Sequence, residues 1–215
     1  MTERFAIYYA PAKDSALWRK AEAWLVQPEL HDLAVSARRY GFHATIKAPM
    51  ALAEGVDRNG LDALLTRFAE GEPPVELSNF GPRLIDGFLA FTTEPQPAAL
   101  TDLATKVVNF FEPARAPLSA DDLRRRLKAQ LSPRQIELVE QYGYPYVLEQ
   151  FQFHMTLTDR LPADRRDEWQ RRAVEWFDEV LATPVMLDRL VVFHEAAAGE
   201  PFTRLDGDYI LKGAR

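Results

Sequence analysis

His43-Ala44-Thr45-Ile46-Lys47 and His154-Met155-Thr156-Leu157-Thr158 are two copies of one pattern, 111 residues apart. Each is His-x-Thr with an apolar residue between and another after. In an extended strand alternate side chains share a face. The spacing therefore places His43, Thr45 and Lys47 on one face and Ala44, Ile46 and Ala48 on the other. Likewise His154, Thr156 and Thr158 oppose Met155 and Leu157. Each strand offers one apolar face to a core and one face of imidazole and hydroxyl to a cleft.

The order of elements around the two motifs also repeats. Phe5–Ala10 reads as an aromatic strand ended by Pro11, and a helix capped at Asp14 or Ser15 runs to Val26. The first motif strand covers about Gly41 to Ala48. A helix from Arg58 to Ala69 follows, then strands near Val75–Phe80 and Arg83–Thr92, with Gly81-Pro82 and Asp86-Gly87 as turn signals. A further helix spans about Ala98 to Phe110. After the second motif strand, Phe151 to Thr158, come a helix over about Asp164–Val180 and strands near Val185–His194 and Phe202–Leu211. Pro74-Val75-Glu76-Leu77 trails the first motif at nearly the distance at which Pro184-Val185-Met186-Leu187 trails the second. The pattern is a diverged duplication of a β-α-β(His-x-Thr)-α-β-β unit. Residues 1–215 form one bilobal domain in this reading, with lobe 1 at about 1–95 and lobe 2 at about 96–215.

Between the halves lies a helical insert, about 112–146. Ser119 with Asp122 reads as a capping box, as does Ser132 with Pro133 and Gln135, and Gly143 can end the second helix. The insert closes on Tyr142-Gly143-Tyr144-Pro145-Tyr146, leading straight into the second motif strand. Tyr8, Tyr40, Tyr144 and Tyr146 are candidate substrate-binding aromatics on position, since a tyrosine stacks and hydrogen-bonds at once. Arg38, Arg39 and Arg115 are candidates for a second phosphate, whose oxygens a guanidinium matches in bidentate fashion. Arg124-Arg125-Arg126, Arg165-Arg166 and Arg171-Arg172 read as solvated helical faces.

Composition narrows the function. A net charge of −6 argues against a surface for long nucleic acid. No apolar run is long enough for a membrane span, and Met1-Thr2-Glu3-Arg4 runs into a strand without the pattern of a secretory signal. There is no cysteine, so disulfides and thiolate sites are excluded, and a cytoplasmic protein is expected. The four histidines are spread without metal-ligand spacing, and neither a Gly-x-Ser-x-Gly elbow nor a glycine-rich phosphate loop occurs. No metal or other cofactor is expected, and the expected partner is a small phosphorylated substrate. Two histidines flanking a phosphate can act as base and acid in one turnover. The threonine hydroxyls and Lys47 can donate to its non-bridging oxygens.

The strings Arg39-Tyr40-Gly41-Phe42-His43-Ala44-Thr45-Ile46-Lys47-Ala48-Pro49 and Phe151-Gln152-Phe153-His154-Met155-Thr156-Leu157-Thr158 resemble the two-histidine (2H) phosphoesterase superfamily, and within it the DUF1045 branch associated with phosphonate metabolism. The resemblance implies an α+β fold with pseudo-twofold symmetry, two antiparallel sheets facing a central cleft with helices outside. It implies metal-independent opening of cyclic phosphodiesters, with His43 and His154 as the acid–base pair and Thr45 and Thr156 as phosphate-binding hydroxyls. Lys47 has Thr158 as its counterpart, so cation placement is lopsided. The expected activity is that of a cyclic phosphodiesterase on a small sugar or nucleotide phosphate. The alternatives are an RNA-end or tRNA-splicing 2′,3′-cyclic phosphodiesterase and a non-catalytic module that binds phosphorylated ligands. The sequence by itself assigns neither histidine as base or acid and fixes no oligomeric state.

Overall fold

The computed structural model describes residues 3–214; the reading made of Met1 and Thr2 lies outside them. The first half runs β1 (Arg4–Tyr9), α1 (Ala16–Leu25), α2 (Val35–Tyr40), β2 (Ala44–Met50), α3 (Arg58–Gly71), β3 (Val75–Glu76), β4 (Gly81–Ile85), β5 (Phe88–Thr92) and α4 (Ala98–Phe110). The insert supplies α5 (Ala120–Arg126) and α6 (Pro133–Tyr142). Then follow β6 (Met155–Arg160), α7 (Arg166–Phe177), β7 (Met186–Leu187), β8 (Arg189–Glu195) and β9 (Thr203–Ile210). Local chemistry sets most of these bounds. The Ser15 hydroxyl accepts from Trp18 N–H at the start of α1. Ser132 and Gln135 close both arms of a capping box on α6, which Gly143 ends in the left-handed conformation. Ser119 accepts from Asp122 N–H to cap α5, but the Asp122 carboxylate takes the Ser119 hydroxyl proton instead of reaching the cap backbone. Asp86 and Gly87, at φ 46° and 90°, make the tight hairpin between β4 and β5. Pro82 lies inside β4 rather than in a turn, which an edge strand tolerates.

Among the described residues, seven strands form one antiparallel sheet in the order β4-β5-β6-β2-β1-β8-β9, and β3 pairs with β7 in a separate ribbon. The fold is α+β with antiparallel sheets, as expected. The sheets of the two lobes join edge to edge through β2 and β6. The division of the chain near residue 95 is not the division of the sheet. The β4–β5 hairpin of the first half pairs onto β6 of the second, and the β8–β9 hairpin of the second half pairs onto β1 of the first.

Two registers carry the signature of the duplication. Ala44 stands opposite Met155, its equivalent in the other motif. Glu76 stands opposite Met186, its equivalent in the other Pro-Val-x-Leu string. A pair of strands in which equivalent residues face each other is what a pseudo-twofold axis produces when it passes between them.

The apolar faces of both motif strands meet one core. Ala44, Ile46, Met155 and Leu157 pack with Trp24 of α1, Leu61 and Leu65 of α3, Leu103 and Val107 of α4, and Trp169 and Phe177 of α7. Trp24 donates its indole N–H to the Leu157 carbonyl of the motif strand at 3.2 Å. The opposite face, at β1 and β8, carries a second cluster of Ala6, Tyr8, Ala10, Val191, Phe193 and Phe202.

Simple alternation fails two residues after each motif threonine, because each strand bulges there. Tyr8 faces Thr45, yet the next residue back, Ile7, faces Lys47, so two residues of β2 answer one of β1. This sets Lys47 across from a core residue and not from Tyr8. Its buried ammonium donates to the Val108 carbonyl at 3.0 Å and to Glu112 at 2.8 Å. On the other side Ala90 faces Thr156 while Phe88 faces Arg160. Inside that irregularity Thr158 is fully buried, and its hydroxyl accepts from Leu89 N–H at 2.9 Å. Lys47 and Thr158, expected on the cleft face, are thus buried and hydrogen-bonded within the fold.

The helix α2 has no cap of its own in sequence. The Asp159 carboxylate, reaching from the end of β6, accepts from Val35 N–H at 2.8 Å and from Ser36 N–H. Asp159→Ala should destabilise the protein by about 0.5–2 kcal/mol and raise amide exchange across α2. Unchanged exchange would show that α2 holds without this cap. Thr158→Val should cost about 1–3 kcal/mol, since it leaves a buried Leu89 N–H unpaired. Thr156→Val, whose hydroxyl has no partner among the described residues, should stay within about 0.5 kcal/mol of wild type. Urea denaturation of the two variants, compared at constant slope, checks the contrast; equal losses would contradict it.

Candidate active site

Each motif histidine sits one residue before its strand, and the same device orients each. His43 Nδ1 lies 3.0 Å from the Gly41 carbonyl, and His154 Nδ1 lies 2.9 Å from the Gln152 carbonyl. A carbonyl only accepts, so Nδ1 carries the proton in both rings and Nε2 is left to face the cleft. In the first copy this requires Gly41 at φ 72°. A side chain there would be strained, and its Cβ would stand 3.1 Å from the Phe193 ring.

The Ala44–Met155 register then decides the geometry. Continued by one residue each way, it sets Thr45 opposite His154 and His43 opposite Thr156. The two histidines occupy diagonal positions, whose Cβ atoms lie on the order of 7–8 Å apart in an antiparallel pair. They are close enough that a charge on His154 disfavours one on His43. Thr45 Oγ1 lies 3.3 Å from His43 Nε2. The register thus brings two imidazoles and two hydroxyls to neighbouring positions on β2 and β6.

The two sides differ in what lies beneath them. Tyr8 is buried and stacks flat on His43, with centroids 3.8 Å apart and planes 18° from parallel. Phe193 closes another side of the same ring at 5.7 Å. Burial among these rings lowers the His43 pKa to about 4, against the opposing pull of the Gly41 carbonyl. His43 keeps part of its surface open to solvent, so the ring is recessed and not sealed. Among the described residues the aromatic neighbour of His154 is Phe88, in a T-shaped contact at 6.1 Å. Tyr8 is therefore the floor under His43 and not an open contact, and burial pushes its phenol well above the usual tyrosine range.

The remaining candidates divide. Tyr40 stacks on Phe202 at 5.2 Å and lies 6.4 Å from His43. Tyr144 is held edge to face by Tyr146 at 5.5 Å. Burial, with the nearby Tyr146 and Tyr40, raises the Tyr144 phenol to about 12. Tyr146 is 49% exposed. Arg38 is used up elsewhere, donating to the Leu30 and His31 carbonyls. Arg115 is committed to Glu112 and to the Ala116 and Gln141 carbonyls. Arg39 pairs with Glu195 and lies over the Tyr40 ring.

A cavity of about 840 Å³ lies at the end of β2, bordered by Lys47 through Leu52, by Arg4 and Arg39, by Arg125 and Arg126 of the insert, and by Tyr144; the motif histidines are not among its lining residues. Sequence reasoning does not mark Arg4, Arg125 or Arg126 as site residues. One signal was available. Asp121 and Asp122 stand three residues before Arg124 and Arg125 and pair with them, whereas Leu123 stands three before Arg126. Among the described residues no group of three or more His, Asp and Glu side chains is placed to hold a metal ion, and no helix is long and apolar enough to cross a membrane.

Comparison with known proteins agrees with this architecture. Over nearly its whole length the chain resembles the crystal structure of TT0787 of Thermus thermophilus, with a TM-score of 0.53 at 15% identity, covering 99% of this chain and 100% of that one. This is a likeness of fold. Two curated relatives are named ribose 1,5-bisphosphate phosphokinase PhnN. The protein from Janthinobacterium sp. (strain Marseille) is 34% identical over 93% of this chain, and that from Laribacter hongkongensis (strain HLHK9) is 32% identical over 93%. The chain spans about half the length of each, 49% and 50%. The family model DUF1045, described as a protein of unknown function, matches residues 45–203, from Thr45 of the first motif to well past the second. The chain belongs to the DUF1045 family.

Proposed function

We propose that this protein opens the ring of a small cyclic phosphodiester, borne on a sugar or nucleotide, by histidine acid–base catalysis without a metal ion. The observation that carries the reading is the Ala44–Met155 register, which brings both His-x-Thr motifs to one gap, with each Nδ1 tied back to a carbonyl.

The asymmetry of the pair supports a division of roles. His43, lowered to about 4, is neutral near pH 7 and serves as base. Its Nε2 takes a proton from the attacking water as the new P–O bond forms. His154 Nε2 gives a proton to the sugar oxygen as the ring P–O bond breaks, so the products are a phosphate monoester and a free hydroxyl. Proton exchange with solvent resets both rings. Thr45 and Thr156 donate to the non-bridging oxygens, where charge accumulates in the transition state. In the free protein the Thr45 hydroxyl rests against His43 Nε2 and turns to the phosphate when substrate enters.

The names of the two curated relatives favour a sugar phosphate over a nucleotide. Both refer to ribose 1,5-bisphosphate, and opening a cyclic phosphate on a ribose 5-phosphate yields a ribose bisphosphate. Placement in phosphonate metabolism rests on the same names and on the family. Tyr144 and Tyr146, at the mouth formed by the insert, are the aromatic selectivity elements.

His43→Ala and His154→Ala should each lower kcat by about 10²-fold or more, and activity should survive chelator. Full activity in either variant sinks the acid–base pair, and a chelator loss restored by metal sinks the metal-free chemistry. The acid limb of kcat/KM, which reports the free protein, should lie below the ordinary imidazole value of about 6.5. An acid limb at or above that value would remove His43 as the neutral base. The same lowering has a sign for stability. Between about 6.5, the unfolded value, and about 4 in the folded protein, the unfolded chain binds the His43 proton first. Stability is then lost as pH falls through that window. Melting curves of His43→Gln should show a shallower acid slope there than wild type; parallel slopes would show that His43 is not held neutral by the fold.

A further inference from the structure

The cavity at the end of β2 has a charge distribution that ring opening does not need. Arg4, Arg39, Lys47, Arg115, Arg125 and Arg126 border it. Three carboxylates answer them: Glu195 shared by Arg4 and Arg39, Glu112 shared by Lys47 and Arg115, and Asp122 on Arg125. Positive charge is in excess. Arg126 is the clearest case. Among the described residues its guanidinium makes no hydrogen bond or ion pair, and its Nε is buried without a partner. Arg39 Nε is also buried without a partner. Burial and the neighbouring charges of Arg4 and Arg125 push the Arg126 guanidinium down. Like charges crowded in a half-buried wall, with unused donors, are a cost unless an anion completes them.

The cavity is also at a usable distance. Lys47 on its rim is two strand residues past Thr45, about 7 Å along β2. Tyr144 forms part of its wall and feels both Arg126 and Tyr40, which ties the wall to the His43 side.

We infer that Arg126, with Arg4, Arg39 and Arg125, forms a second phosphate subsite, so that the substrate is a cyclic phosphodiester bearing a separate terminal phosphate monoester on the same sugar. This deepens the proposed function and rests on it for the cyclic group alone. The terminal phosphate lies in the arginine wall, the cyclic phosphate lies between His43 and His154, and the sugar spans the two along Tyr144. Guanidinium forks suit the three terminal oxygens of a monoester better than the two free oxygens of a diester.

Two measurements test it. The first compares kcat/KM for adenosine 2′,3′-cyclic phosphate with and without a 5′-phosphate, in wild type, Arg126→Met and Arg126→Lys. Wild type should prefer the 5′-phosphorylated form by about tenfold or more, as one charge-assisted contact supplies. Arg126→Met should erase most of that ratio, with Arg126→Lys between. No preference in wild type, or a ratio unmoved in folded Arg126→Met, overturns the subsite. The second titrates ribose 5-phosphate calorimetrically into wild type, Arg126→Met and Thr156→Val. Affinity should fall about tenfold in Arg126→Met and little in Thr156→Val. An equal loss in Thr156→Val would place the anion between the histidines and overturn the subsite. Ribose 5-phosphate binding that depends on Arg126 in a protein inert toward every cyclic phosphate would uphold the subsite while sinking the proposed catalysis.

Discussion

The pairing of β2 with β6 is the contact on which the rest depends. It is short, registered at Ala44 opposite Met155, and it joins the two lobes into one sheet. It also fixes the placement of the motif side chains, because a one-residue slip would turn every side chain to the other face. The apolar residues between the motif histidines and threonines are anchored in the shared core by Trp24, Trp169 and Phe177. Slippage would expose Ala44, Ile46, Met155 and Leu157 together. The stability of the core and the placement of the imidazoles are therefore one constraint. The β3–β7 ribbon repeats the same symmetric register at a second place, so the pseudo-twofold relation is held at two separated points.

Symmetry brings the motifs together, and departures from it give the two imidazoles different surroundings. Tyr8 underlies His43, while the equivalent place beside Thr156 is taken by Ala90. An aromatic floor on one side and a methyl group on the other give one imidazole a poorer hold on its proton. A base and an acid can in this way arise from duplicated sequence without change in the motifs themselves. The insert adds the second asymmetry by bringing Arg125, Arg126 and Tyr144 to one flank of the site only.

Much of this was legible in the chain because it is local or periodic. The His-x-Thr copies, the Pro-Val-x-Leu strings, the Ser132 capping box and the Asp86-Gly87 hairpin are short-range signals with one physical meaning each. What escaped was set by distant partners. The helix α2 is capped by Asp159 from the other half of the chain. Lys47 and Thr158 leave the cleft face because each strand bulges against a neighbour, β1 in one case and β5 in the other, and alternation carries no warning of that. Exchange of hairpins between the halves follows from sheet order, which a linear repeat does not encode. The arginine triplet of α5 read as a solvated face, and for Arg124 it is one. Arg126 departs because the acid one turn before it, Asp122, is taken by Arg125.

The central claim is that His43 and His154 act on one phosphate through Nε2, with Nδ1 protonated in both. It is tested most directly by side-chain nitrogen NMR of the two rings while inorganic phosphate is added. The account predicts that both Nε2 resonances move along one saturation curve with a stoichiometry of one, while both Nδ1 signals remain those of protonated nitrogens. Separate midpoints for the two rings, or a ring whose Nδ1 loses its proton, would contradict it.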